Sequence, residues 1–121
     1  MTVGLIALIS IFISVAAQFM LKAGMRSEGV RTALSSGSAL EIIRETALQP
    51  AIIGGLALYA VGAVVWLSVL AKWDVSKAYP LVGLGFVAAA VVGWWTGESI
   101  ATTRLLGVGF IVLGVLLVAR S

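Results

Sequence analysis

The chain contains no cysteine and no histidine. The first absence removes disulfide frameworks, thiol nucleophiles and thiolate metal sites. The second removes the commonest general base and metal ligand, so neither a metal nor a cofactor is expected. Charge is scarce as well: Asp, Glu, Lys and Arg make up 11% of the 121 residues, eight basic and five acidic. Soluble domains carry about 25% charged residues, and a soluble enzyme is therefore excluded. The basic residues are scattered, which leaves no electrostatic footprint for nucleic acid. What fills the chain is apolar, 61% hydrophobic with a mean hydropathy of +1.16. A hydrocarbon layer ~30 Å thick takes about 20 helical residues, so at most about four crossings fit.

Four runs have the length and composition to cross. Residues 2–21 carry no charge and are closed by Lys22. A secretory signal peptide, the competing reading of this run, wants a positive residue ahead of a shorter apolar core. Residues 51–71 follow Pro50, which a helix start tolerates, and end at Lys72. A third span is expected over about 78–95 and a fourth over about 103–119, entered at Arg104 and ended by Arg120. The connector 22–50 cannot cross lipid, since it holds Arg26, Glu28, Arg31, Glu41, Arg44 and Glu45 around Ser35-Ser36-Gly37-Ser38. Within it, Ala39, Leu40, Ile42, Ile43 and Ala47 recur near a 3.6 period, which fits either an interfacial amphipathic helix over 39–48 or an ordered connector. The short link from Lys72 to Lys77 forces an antiparallel hairpin, with Trp73 at interfacial depth. The expected fold is an all-α integral membrane protein, one four-transmembrane-helix bundle with both termini on the same side. Lys22, Arg26, Arg31, Arg44 and Arg104 then face Lys72, Lys77 and Arg120 across the membrane, a weak bias that puts the connector in the cytoplasm.

Polar side chains inside a span are costly and tend to face a bundle interior or cavity. In the first span Ser10, Ser14, Gln18 and Lys22 succeed one another at intervals of one turn, forming a stripe. Serines bonding back to their own helix would leave the same residues, whereas the Gln18 amide needs partners beyond the local backbone. The second span alternates Gly55, Tyr59, Gly62 and Trp66 on one face, as either a cavity wall or aromatic packing. In the third, Pro80 removes a backbone donor behind Tyr79, and Gly83 and Gly85 soften the helix beyond it. Gly107 and Gly114 recur after seven residues, a spacing suited to a packed seam between chains. No carboxylate lies inside a span: Asp74 and Glu98 are in links, and Glu28, Glu41 and Glu45 are in the connector. A proton-coupled cation exporter wants a buried acid. The neutral lining with basic residues at the helix ends suits a polar or anionic headgroup better.

Ser14-Val15-Ala16-Ala17-Gln18 with Lys22, Trp66-Leu67-Ser68-Val69-Leu70, Ala78-Tyr79-Pro80-Leu81 with Phe86-Val87, and Gly97-Glu98 leading to Gly107 and Gly114 resemble the small multidrug resistance branch of the drug and metabolite transporter superfamily. The likeness is closest to the subunits proposed to flip undecaprenyl phosphate-linked aminoarabinose. Drug-exporting members carry a glutamate in the first helix where this chain has Ser14, a departure that argues against proton-coupled drug export. The resemblance implies a dimer, as a homodimer or with a related small subunit, in the bacterial inner membrane. It implies a cavity walled by the first three spans, and pairing through the fourth. Carried over, Ser14, Gln18 and Tyr79 would line the headgroup path, Trp66 would wall it, and Lys22 would be a phosphate contact; Tyr59 joins the candidate site from its place on the same face as Trp66. The implied substrate is a lipid-linked sugar moved without covalent chemistry. A small cation or drug exporter and a non-transporting partner of a membrane glycosylation complex are the alternatives.

Overall fold

Inside a bilayer a backbone N–H or C=O finds no water, so an apolar run must satisfy its own hydrogen bonds as helix. The computed structural model describes residues 2–121. It contains seven α-helices among the described residues, α1 (Val3–Met25), α2 (Glu28–Ser36), α3 (Ala39–Leu48), α4 (Pro50–Leu70), α5 (Val75–Ala78), α6 (Gly83–Trp95) and α7 (Thr102–Ala119), with a 3-10 turn at Tyr79–Val82 between α5 and α6. Four segments are long and apolar enough to cross a membrane: α1, α4, the continuous stretch Val75–Trp95, and α7. The protein is a multi-pass, all-α membrane protein.

Local chemistry sets the helix starts. Thr2 Oγ1 accepts from Leu5 N at 3.3 Å, Ser38 Oγ from Glu41 N at 3.3 Å, and Gln49 Oε1 from Ala51 N at 3.3 Å, each supplying an acceptor that the first turn lacks. The ends differ from the charge pattern. α1 continues past Leu21 and Lys22 to Met25, because a lysine at the membrane edge keeps its backbone helical while its ammonium reaches water. The connector holds two short helices, not one: α2 buries Val30 and Ala33, three residues apart on one face, against α3 and the end of α1.

The dominant packing is α1 against α4. It depends on glycine: a Cβ at Gly55 would stand 2.9 Å from Leu21 Cδ2 and 3.2 Å from the Ala17 carbonyl oxygen, and one at Gly62 would stand 3.1 Å from Ile13 Cγ2. Ser10, itself buried, donates to the Gly62 carbonyl at 2.6 Å across this seam. The core of Ala7, Ile11, Val69, Ala78, Leu81 and Val115 gathers at the end of the bundle that carries the α4–α5 link. α7 is the outlier, with 6% of its span buried inside the chain against 22% for α1 and for α4.

Candidate functional site

Beside this core a cavity of about 550 Å³ opens between the spans, with Ile11 shared by both. α1 contributes Ser10, Ser14 and Gln18, α4 contributes Tyr59, Gly62 and Trp66, and the third span contributes Tyr79, Gly85 and Phe86. α7 contributes nothing to the wall. The helical interval places Ser14 and Gln18 one above the other, and the absence of a side chain at Gly62 lets α4 approach close enough for Tyr59 and Trp66 to face them. Tyr79 stands in the 3-10 turn, where Pro80 offers no N–H to the carbonyl one turn back. Tyr79 is 67% exposed and Tyr59 45%, so the cavity is open at its side and not sealed.

The lining is chemically neutral. Ser14, Gln18, Tyr59, Trp66 and Tyr79 supply hydroxyls, an amide and an indole N–H, and none of them forms a side-chain hydrogen bond among the described residues. The hydroxyls and the amide can bind sugar hydroxyls in either sense, and the indole N–H can donate to them. Ser10 differs from Ser14 and Gln18, because its hydroxyl is spent on Gly62.

Lys22 stands apart from this cavity. It pairs with Glu98 across 76 residues of sequence, and its ammonium lies 6.0 Å from the centre of the Phe19 ring. The pair sits in a second recess of about 500 Å³ at the connector end of the bundle, lined also by Arg26, Thr96, Ser99 and Arg104. The Glu98 carboxyl is held below its ordinary value, chiefly by the hydrogen bond from Lys22; burial opposes this as the next largest effect, and the charges of Lys22, Arg26 and Arg104 add to the lowering. Sequence reasoning left Glu98 without a role. The Gly97-Glu98 pair was visible there as a motif, but its partner lies on α1, with the five helices α2 to α6 between them in the chain.

Three relatives locate the chain. It is 35% identical over 118 residues to the probable 4-amino-4-deoxy-L-arabinose-phosphoundecaprenol flippase subunit ArnF of Enterobacter sp. (strain 638), covering 93% of this chain and 90% of that protein. Against the ArnF subunit of Yersinia enterocolitica the identity is 31% over 112 residues, 90% of this chain and 87% of that one. The chain belongs to the ArnE/ArnF flippase-subunit family. The probable ArnE subunit of Klebsiella pneumoniae (strain 342) is 42% identical over 71 residues, 55% of this chain, and the match spans only 62% of the Klebsiella protein's length. No family model matches the chain, and no solved structure matches it. ArnE- and ArnF-type relatives thus both align to this chain.

Proposed function

We propose that the chain is one subunit of a flippase that carries the headgroup of a polyprenyl phosphate-linked sugar across the bacterial inner membrane, with the neutral cavity as the headgroup path. The observation that carries this reading is the cavity itself: five polar side chains without partners among the described residues, walled by three spans and open to the side, in a chain of this family. An open side lets the polyprenyl tail stay in lipid while only the headgroup enters. Gln18 and Ser14 meet sugar hydroxyls, Tyr59 and Tyr79 supply further hydroxyls, and the Trp66 indole walls the path. Lys22, one turn beyond Gln18, stands where the phosphate would lie. A cation exporter fits less well, because no carboxylate lies within any span to trade protons for substrate.

The subunit works as a dimer, with itself or with a related small subunit. Three helices wall the cavity on this chain's side only, and Gly107, Gly109 and Gly114 of α7 have nothing within 4 Å of where a Cβ would be, an open face of the kind that small-residue helix pairs use. The test is headgroup exposure in vesicles reconstituted with the chain and its partner. Gln18→Ala and Tyr79→Ala should each slow flipping by about tenfold, the loss of one buried hydrogen bond to substrate, at normal expression. Wild-type flipping in both variants overturns the cavity as the path.

A further inference from the structure

We propose that the recess at the connector end is a phosphoryl-binding site built by Lys22, Arg26 and Arg104, and that the Glu98 carboxylate occupies it as an internal stand-in which the phosphate displaces. This deepens the flippase reading, on which it rests for the source of the phosphate; the geometry stands without it.

The charge arrangement is the first argument. Three cations and one carboxylate line the recess, so its charge is uncompensated even with Glu98 in place. Arg26 caps the C-terminus of α1, where a cation is favourable. Arg104 is the opposite case, lying in the first turn of α7, where the helix dipole disfavours a cation. That turn holds no acid, and its capping residue Ala101 has no side-chain acceptor. Helix formation gives no reason for an arginine there, whereas an anion in the recess does. Arg104 commits one N–H to the Ser99 carbonyl at 3.4 Å, a long bond, and has no other side-chain bond among the described residues. A guanidinium fork left this free suits phosphate oxygens.

The second argument is how Glu98 is delivered. α6 ends in a left-handed glycine, Gly97 at φ 101°, and Glu98 N then donates to the Gly93 carbonyl at 2.8 Å, the closing bond of a Schellman turn. The turn folds the Glu98 side chain back over the last turn of α6, where a Cβ at Gly93 would stand 2.8 Å from Glu98 Oε1. Glycine at 93 thus leaves room for a docked carboxylate. The Lys22 and Glu98 side chains are 33% and 35% exposed, open enough for an incoming anion to exchange with the carboxylate. The field that favours ionised Glu98 comes from the same cations that would hold the phosphate.

The experiment measures equilibrium binding of a radiolabelled short-chain polyprenyl monophosphate, lacking sugar, to the full chain in phosphatidylcholine nanodiscs, with inorganic phosphate as competitor. Arg26→Gln and Arg104→Gln should each weaken binding about tenfold, the scale of one charge-assisted hydrogen bond, while Arg120→Gln, at the opposite end of the bundle, should not. Glu98→Gln, which removes the stand-in, and Gly93→Ala, which dislodges it without changing charge, should each tighten binding several-fold. Competition by inorganic phosphate with the same variant pattern assigns the recess to the phosphoryl group alone, and competition by lipid phosphate only assigns it to a lipid-borne one; both support the site. Unchanged binding in Arg26→Gln and Arg104→Gln overturns it, as does weaker binding in both Glu98→Gln and Gly93→Ala. Flipping absent while phosphate binding shows the expected pattern sinks the flippase reading alone. Flipping present while the arginine variants bind normally sinks only the phosphate site.

Discussion

α4 and α7 are both apolar spans with glycines at regular intervals, and they use them in opposite ways. On α4, Gly55 and Gly62 lie against α1 side chains and carbonyls. On α7, Gly107, Gly109 and Gly114 face nothing in the chain, and attachment falls to residues such as Ile111 and Val115, whose methyl groups lie 2.8 and 3.0 Å from where a Gly83 Cβ would stand. A glycine row by itself therefore does not say whether a helix packs within its own chain. The positions of neighbouring backbones decide it, and in lipid, where apolar surface gains little by leaving the tails, close approach is most of what holds two helices together.

The comparison can be broken most severely at the α1–α4 seam. Gly55→Leu should destabilise the chain by about 3 kcal/mol, the upper end of the overpacking range, because the Ala17 carbonyl cannot move aside as a side chain can; unfolding in mixed detergent micelles measures it, and wild-type stability would show the seam to be slack. Next, Gly107→Leu with Gly114→Leu should leave that stability within about 0.5 kcal/mol while shifting crosslinked protein from dimer towards monomer. Loss of stability without a change in crosslinking would place α7's open face inside the chain. Ser10→Ala removes the hydroxyl that spans the seam and should cost about 1 kcal/mol, readable in the same unfolding assay, with little effect on the cavity.

The smallest effect is expected at the far end. The Glu98 carboxyl is depressed in the folded chain, so its pairing with Lys22 contributes stability in full above the ordinary carboxylate value and loses it as pH falls through the depressed one. Wild-type protein and Glu98→Gln should then differ in thermal stability at neutral pH and converge in acid, below the ordinary value of 4.5. A constant difference across that range would mean the ion pair adds nothing.

The spans were legible because uncharged runs of this length have no other stable state in lipid. Their limits were less so, since Lys22 marks the edge of the hydrocarbon and not the end of α1. The helix α2 escaped because Ser35-Ser36-Gly37-Ser38 draws attention to a loop, while the pair that fixes the helix, Val30 and Ala33, is too short a pattern to stand out. Ser14, Gln18, Tyr59, Trp66 and Tyr79 share a cavity because their helical intervals set their faces. The Lys22–Glu98 pair obeys no interval at all. It joins the ends of two helices whose meeting is settled by the whole bundle, and only the three-dimensional arrangement brings it into view.

The 3-10 turn at Tyr79–Val82 carries a consequence for how the third span can move. Pro80 has no N–H for the carbonyl of Ser76, and deep in hydrocarbon such an orphaned carbonyl would be a standing penalty. Ser76, however, lies in the first turn of the span and is exposed, so water at the bilayer surface can supply the missing donor. The gap in the ladder thus falls where solvent meets it, and a bend of the span there would break no hydrogen bond in the membrane interior, only the packing of Ala78 and Leu81 in the core.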